Sequence, residues 1–195
     1  ALEDTIAAYH WLLEQGYPAE KIVVAGDSAG GGLALALCLW LKNHKEPLPS
    51  GVIAMSPWTD LTISGESVET NFEKDPLFGK TRDSMLYNKD YLGDNDPTNE
   101  YISPLFGDYE GFPPLLIQVG SYEMLLSDST RVAKKAKEAG GKVKLSIYEG
   151  MFHVFQMAML LMPESKKAWA EIKRFLHYLD TEENEMQNIS KEEKA

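Results

Sequence analysis

The sequence predicts an α/β fold, a parallel sheet of four strands with helices on both faces. Three observations carry that expectation. Short apolar runs alternate with stretches of helical periodicity along the 195 residues. The first of them, residues 21–26, shows no polar alternation, as a strand covered on both faces does. The first run leads at once into residues 29–43, a helix that is apolar almost all round and so belongs in the interior.

The elements follow in order. Residues 1–15 place Leu2, Ile6, Tyr9 and Leu13 at helical spacing, and Gly16 and Pro18 stop that helix. The strand at 21–26 and the helix at 29–43 come next, then the strand at 51–56, ended by Pro57. Residues 58–111 are a long mixed connection with turn signals at Asp75-Pro76, Asp96-Pro97 and Ser103-Pro104 and short helices expected around 82–91. A connection of this length reads as a lid or a pocket wall, or as an insertion of no consequence. A third strand is expected at 114–120, and a helix at 129–139 stopped by Gly140-Gly141. In the fourth strand, 143–148, Val143, Leu145 and Ile147 alternate with Lys144 and Ser146, the pattern of a sheet edge. A last helix over 164–180 lines up Trp169, Ile172, Leu176 and Leu179 on one face. Residues 181–195, with five Glu against two Lys, are expected to be a disordered polar tail. The strand at 21–26 has the composition of a mid-sheet strand, yet no earlier run offers it a partner. An open apolar edge favours pairing with another chain, so a homo-oligomer through that edge is expected.

Composition narrows the function classes. Hydrophobic residues make up 44% and charged residues 25%, as in an ordinary globular domain. The net charge of −11 argues against a nucleic-acid or anionic-membrane partner, since both need basic patches. The most apolar stretch, residues 33–41, is too short to span a bilayer. Glu3 and Asp4 stand where a signal peptide would be basic. The single cysteine, Cys38, excludes an intrachain disulfide and a cysteine-rich metal site. A cytoplasmic location is the resulting expectation.

The chemistry is carried by Gly26-Asp27-Ser28-Ala29-Gly30, a Gly-x-Ser-x-Gly run between a strand and a helix. In that setting the tight turn lifts the Ser28 hydroxyl above the sheet at a helix N-terminus, where the Ala29 N–H is the expected oxyanion donor. A phosphate-binding loop would need a Lys after the glycines, and a dinucleotide fingerprint cannot be laid over Gly26 to Gly31. A nucleophilic serine needs a base, and the base an acid, in the chain order Ser, acid, His. Of the four histidines, His10 precedes the serine. His44 ends the buried helix and reads as a carbonyl cap, and His177 as a surface residue. His153 follows the fourth strand, at the end of a parallel sheet where active sites lie. For the acid, Glu123 comes immediately after the third strand and is assigned to the triad. Asp128 takes a helix-capping or supporting role, and Glu149 is a weaker alternative.

The sequence resembles the hormone-sensitive-lipase-like family of α/β-hydrolase esterases. The resemblance rests on Gly26–Gly31 (GDSAGG), Ser56-Pro57-Trp58-Thr59-Asp60-Leu61, Ser103-Pro104-Leu105, residues 120–128 (GSYEMLLSD) and 150–155 (GMFHVF). It implies hydrolysis of small-molecule carboxylic esters by Ser28, Glu123 and His153 through an acyl-enzyme, without metal or cofactor. Many members carry Asp where Glu123 stands, and a subset carries Glu. The family's upstream His-Gly-Gly-Gly run, early strands and cap have no counterpart in these residues. Residues 1–180 are therefore expected to match the C-terminal portion of such a catalytic domain. The alternative expectation is a catalytically weak or silent hydrolase fragment that self-associates through its sheet edge.

Overall fold

The computed structural model describes residues 1–79 and 89–192. Its elements are α1 (Leu2–Glu14), β1 (Val23–Asp27), α2 (Ala29–Asn43), β2 (Gly51–Met55), α3 (Ser67–Thr70), α4 (Lys89–Leu92), β3 (Leu115–Gly120), α5 (Leu126–Glu138), β4 (Val143–Tyr148) and α6 (Pro163–Glu192). The four strands form one parallel sheet in the order β1-β2-β3-β4. Its register aligns Val24 with Val52, Val52 with Leu115, and Leu115 with Val143. All four strands therefore end on the same side, where the loops after β1, β3 and β4 meet.

Helices cover both faces, as expected. On one face Leu35, Cys38 and Leu39 of α2 and Val132, Ala133 and Ala136 of α5 close over Val52, Ala54, Leu115 and Ile117. On the other, Ile172 of α6 packs against Ile53 and Leu116. The helix α2 is as buried as its composition demands, with Leu35, Cys38, Leu39 and Leu41 fully enclosed. Burial pushes the Cys38 thiol well up from its ordinary range. Among the described residues no helix is long and apolar enough to cross a membrane.

Three expectations about elements are corrected. The last helix does not end at Asp180; its backbone continues helically to Glu192. No Gly or Pro interrupts 181–192, and Glu, Gln, Met and Lys there are good helix formers, so polarity alone did not signal a stop. Its buried face is also displaced. Ser165, Ala168, Ile172 and Leu179 are buried, whereas Trp169 and Leu176 remain about two-fifths exposed. The small side chain of Ala168 permits the close approach to the sheet, and its carbonyl accepts from Gln118 Nε2 at 2.9 Å. Finally, α5 begins at Leu126, three residues earlier than the sequence suggested.

Among the described residues β1 pairs only with β2 and β4 only with β3. Ile147 on β4 is 48% exposed, as an edge strand allows, and Ala25 on β1 is also exposed despite the apolar composition of that strand. Of the short helices expected around 82–91, residues 80–88 lie outside the described part of the chain, and Lys89–Leu92 is helical.

Candidate active site

Ser28 lies at the turn from β1 into α2 with φ 51° and ψ −122°. A non-glycine residue held there costs on the order of 1–3 kcal/mol. The backbone is pinned around it: its N–H donates to Met55 O at 2.9 Å, and its carbonyl accepts from the N–H groups of Gly32 and Trp58 at 3.1 and 2.9 Å. Glycine is required at position 26, because a Cβ there would fall 2.2 Å from the Gly30 carbonyl oxygen. The result is a half-buried serine hydroxyl above the strand ends. Beside it Ala29 is exposed and is the first residue of α2, where an N–H has no intrahelical acceptor.

Glu123 and His153 arrive from the next two strand ends. Glu123 is fully buried in the turn after β3. Its Oε1 accepts from the Gly120 N–H at 2.6 Å and from the Ser56 hydroxyl at 2.7 Å. Its Oε2 lies 2.9 Å from His153 Nδ1, and His153 Nε2 lies 2.9 Å from Ser28 Oγ. A carboxylate only accepts, so Nδ1 carries the proton and Nε2 is left to receive the serine hydroxyl. The loop bearing His153 sits close over β3, since a Cβ on Gly120 would fall 2.2 Å from Met151 O. Phe78 packs on the imidazole with ring centroids 4.5 Å apart. The three residues singled out for catalysis are thus brought into one line, with Ala29 alongside.

The other candidates fall elsewhere. His10 pairs with Glu46, His44 caps Trp40 O through Nδ1 at 2.8 Å and stacks on the Trp40 ring, and His177 is exposed. Glu149 is also exposed. Asp128 does not cap its own helix, because α5 starts two residues before it and shows no side-chain cap. Its supporting role is of another kind: Oδ2 accepts from the Thr59 and Asp60 N–H groups at 2.7 and 2.9 Å, fastening the segment after β2. Burial, with the nearby Asp60 charge, pushes Asp128 up to about 7. Burial also acts to raise Asp60, but hydrogen bonds from Ser64, Thr62 and Arg131 outweigh it and hold Asp60 below its ordinary value.

Several residues around the site were not singled out from the sequence. Asn71 Nδ2 donates to Ser121 O and Glu123 O at 3.0 and 2.9 Å. Asp75 Oδ1 accepts from the N–H groups of Leu77 and Phe78, and its Oδ2 from that of Met124 at 2.9 Å. The connection after β2 therefore grips the loop that carries Glu123. The one available signal was Ser56, a polar residue at the C-terminal end of an apolar strand. A cavity of about 180 Å³ opens beside Ala29, walled by Leu33, Trp58, Leu61, Tyr101 and Ile102. Among the described residues no three His, Cys, Asp or Glu side chains gather as metal ligands.

Comparison with known proteins agrees with this architecture. A family model described as the alpha/beta hydrolase fold matches residues 1–157. An esterase of Acinetobacter venetianus is 44% identical over 181 residues, covering 92% of this chain and 59% of its own. An acetyl-hydrolase of Streptomyces hygroscopicus is 41% identical over 168 residues, covering 86% and 56%. The crystal structure of an esterase from the bacterial hormone-sensitive lipase family superposes with a TM-score of 0.87 at 43% identity, covering 91% of this chain and 60% of that one. The chain therefore spans somewhat under two thirds of the length of the relatives it matches. With four-fifths of its residues inside the matched region and the same parallel sheet, the chain belongs to the alpha/beta hydrolase fold family.

Proposed function

We propose that the protein hydrolyses carboxylic esters through Ser28, His153 and Glu123. The observation that carries this reading is the unbroken line from Ser28 Oγ to His153 Nε2 and from His153 Nδ1 to Glu123 Oε2, each step 2.9 Å. His153 takes the Ser28 proton as Oγ bonds to the ester carbonyl carbon. The carbonyl oxygen becomes an oxyanion facing the Ala29 N–H. The tetrahedral species collapses by breaking the carbon–alkoxide bond, and His153 returns its proton to the departing alcohol. Water, deprotonated by His153, then releases the acyl group and restores Ser28. Glu123 stays ionised throughout and holds the imidazolium.

The apolar cavity beside Ala29 supports a small acyl or alkyl group as the part of the ester that is buried. The acetyl-hydrolase and esterase names of the relatives point to the same substrate class. Nucleophile, base and oxyanion donor are all protein groups, so the reading needs neither metal nor cofactor. It also retains a cytoplasmic setting. Hydrolysis of p-nitrophenyl acetate by the wild type and by Ser28→Ala is the test. The reading requires a rate above background that Ser28→Ala loses; equal rates would remove it.

A second reading is favoured by β1. That strand pairs on one side only among the described residues, and Ala25 is exposed on it. Here the chain associates with a copy of itself through this edge and hydrolyses esters weakly or not at all. Sedimentation of a monomer at all concentrations would count against it.

A further inference from the structure

We infer that Ser56 is a positioning residue for the proposed reaction: its hydroxyl ties the Glu123 carboxylate to the loop that carries His153. This rests on the roles proposed above for Ser28, Glu123 and His153.

Ser56 follows β2 and is fully buried, with φ 47°. In that backbone region glycine is the unstrained residue, so a serine there carries a conformational cost. Its hydroxyl makes two contacts. Oγ lies 2.7 Å from Glu123 Oε1 and 3.1 Å from the N–H of Val154, the residue after His153. The Val154 N–H is a donor and nothing else, so it takes a lone pair of Oγ. The single hydroxyl proton is then directed to Glu123, which as a carboxylate can only accept. A closed ring results: His153 donates to Glu123, Glu123 accepts from Ser56, Ser56 accepts from Val154, and Val154 is bonded to His153 through the chain. The ring fixes the separation of acid and base from both sides. Ser56 is itself anchored, because its N–H donates to Gln118 O at 2.6 Å on β3.

Removing the hydroxyl would leave Glu123 Oε1 with the Gly120 N–H alone and the Val154 N–H without its acceptor. Asp75 also holds this loop, its Oδ2 accepting from the Met124 N–H at 2.9 Å.

The experiment compares the 195-residue wild type with Ser56→Ala and Ser56→Gly. The glycine variant relieves the strained φ while deleting the hydroxyl, and so separates the backbone from the side chain. Two readouts are taken: the rate of fluorophosphonate labelling of Ser28 against pH, and the downfield proton resonance of His153 Nδ1–H. Both variants should fold and label about tenfold more slowly, the effect of one hydrogen bond to a charged group. The acid limb of the pH profile should move. The Nδ1–H resonance should shift or broaden. Slower labelling with an unmoved pH limb and resonance would make Ser56 merely structural and overturn the assignment, as would wild-type behaviour in Ser56→Gly or failure of both variants to fold. A wild type that never labels would sink the hydrolase reading alone, because the resonance comparison still decides the role of Ser56.

Discussion

Glu123 and Asp128 stand five residues apart on one turn and one helix, and both are buried, yet they face opposite tasks. Glu123 meets two donors on one oxygen and an imidazole on the other. Asp128 meets two backbone N–H groups and lies 3.5 Å from Arg131, which also pairs with Asp60 at 2.8 Å. Burial alone therefore does not mark the acid proposed for catalysis. The identity of the group on the free carboxylate oxygen does, and only in Glu123 is that group a base with a second nitrogen to offer.

The difference can be broken by exchange. Glu123→Gln should lower the fluorophosphonate labelling rate of Ser28 by about 10³–10⁴, because the amide would hold the wrong histidine tautomer, while the melting temperature changes little. Asp128→Asn should do the reverse, leaving labelling within a few-fold, since an amide oxygen still accepts from Thr59 and Asp60. Comparable losses of labelling in the two variants would erase the distinction.

A smaller effect is expected at Asp60. Its side chain is fully buried and accepts from Thr62, Ser64 and Arg131. Asp60→Ala strips several donors of their acceptor at once and should destabilise the fold by about 2–4 kcal/mol in urea titration. A loss under 1 kcal/mol would show that water replaces the carboxylate easily.

The pH response of the two aspartates sharpens the contrast further. Asp128 is raised in the folded state, so the stability it contributes is present in full below the unfolded carboxylate range and is lost as pH rises through about 7. Asp60 is lowered, so its contribution is present at neutral pH and is lost on acidification. Denaturation of the wild type between pH 6 and 8 should therefore show a decline that Asp128→Asn flattens. Identical slopes in both proteins would mean that Asp128 does not titrate in that window.

The contrast also shows what the sequence could and could not convey. The four strands, the elbow at Ser28 and the placement of His153 after the last strand were legible because each depends on local pattern: β-branched runs, a Gly-x-Ser-x-Gly turn, and a loop following a strand. That Glu123 rather than Asp128 meets His153 accords with its place immediately after β3. The job of Asp128 was not legible, because Asp128-Ser129 resembles a helix start, whereas Leu126 begins the helix without a capping side chain. The partners of Ser56, Asn71 and Asp75 were hidden for a different reason. Their hydrogen bonds to the acid loop span 67, 52 and 49 residues, and no periodicity reports a contact of that range. On α6 the large Trp169 drew attention, while close packing chose Ala168.

The central claim is that Ser28 is a nucleophile activated by His153. The most direct measurement is mass spectrometry of the chain after treatment with a fluorophosphonate at pH 8. The account predicts one adduct, mapped to the peptide containing Ser28 and lost in His153→Ala. An unmodified protein, or an adduct at any other residue, would contradict it.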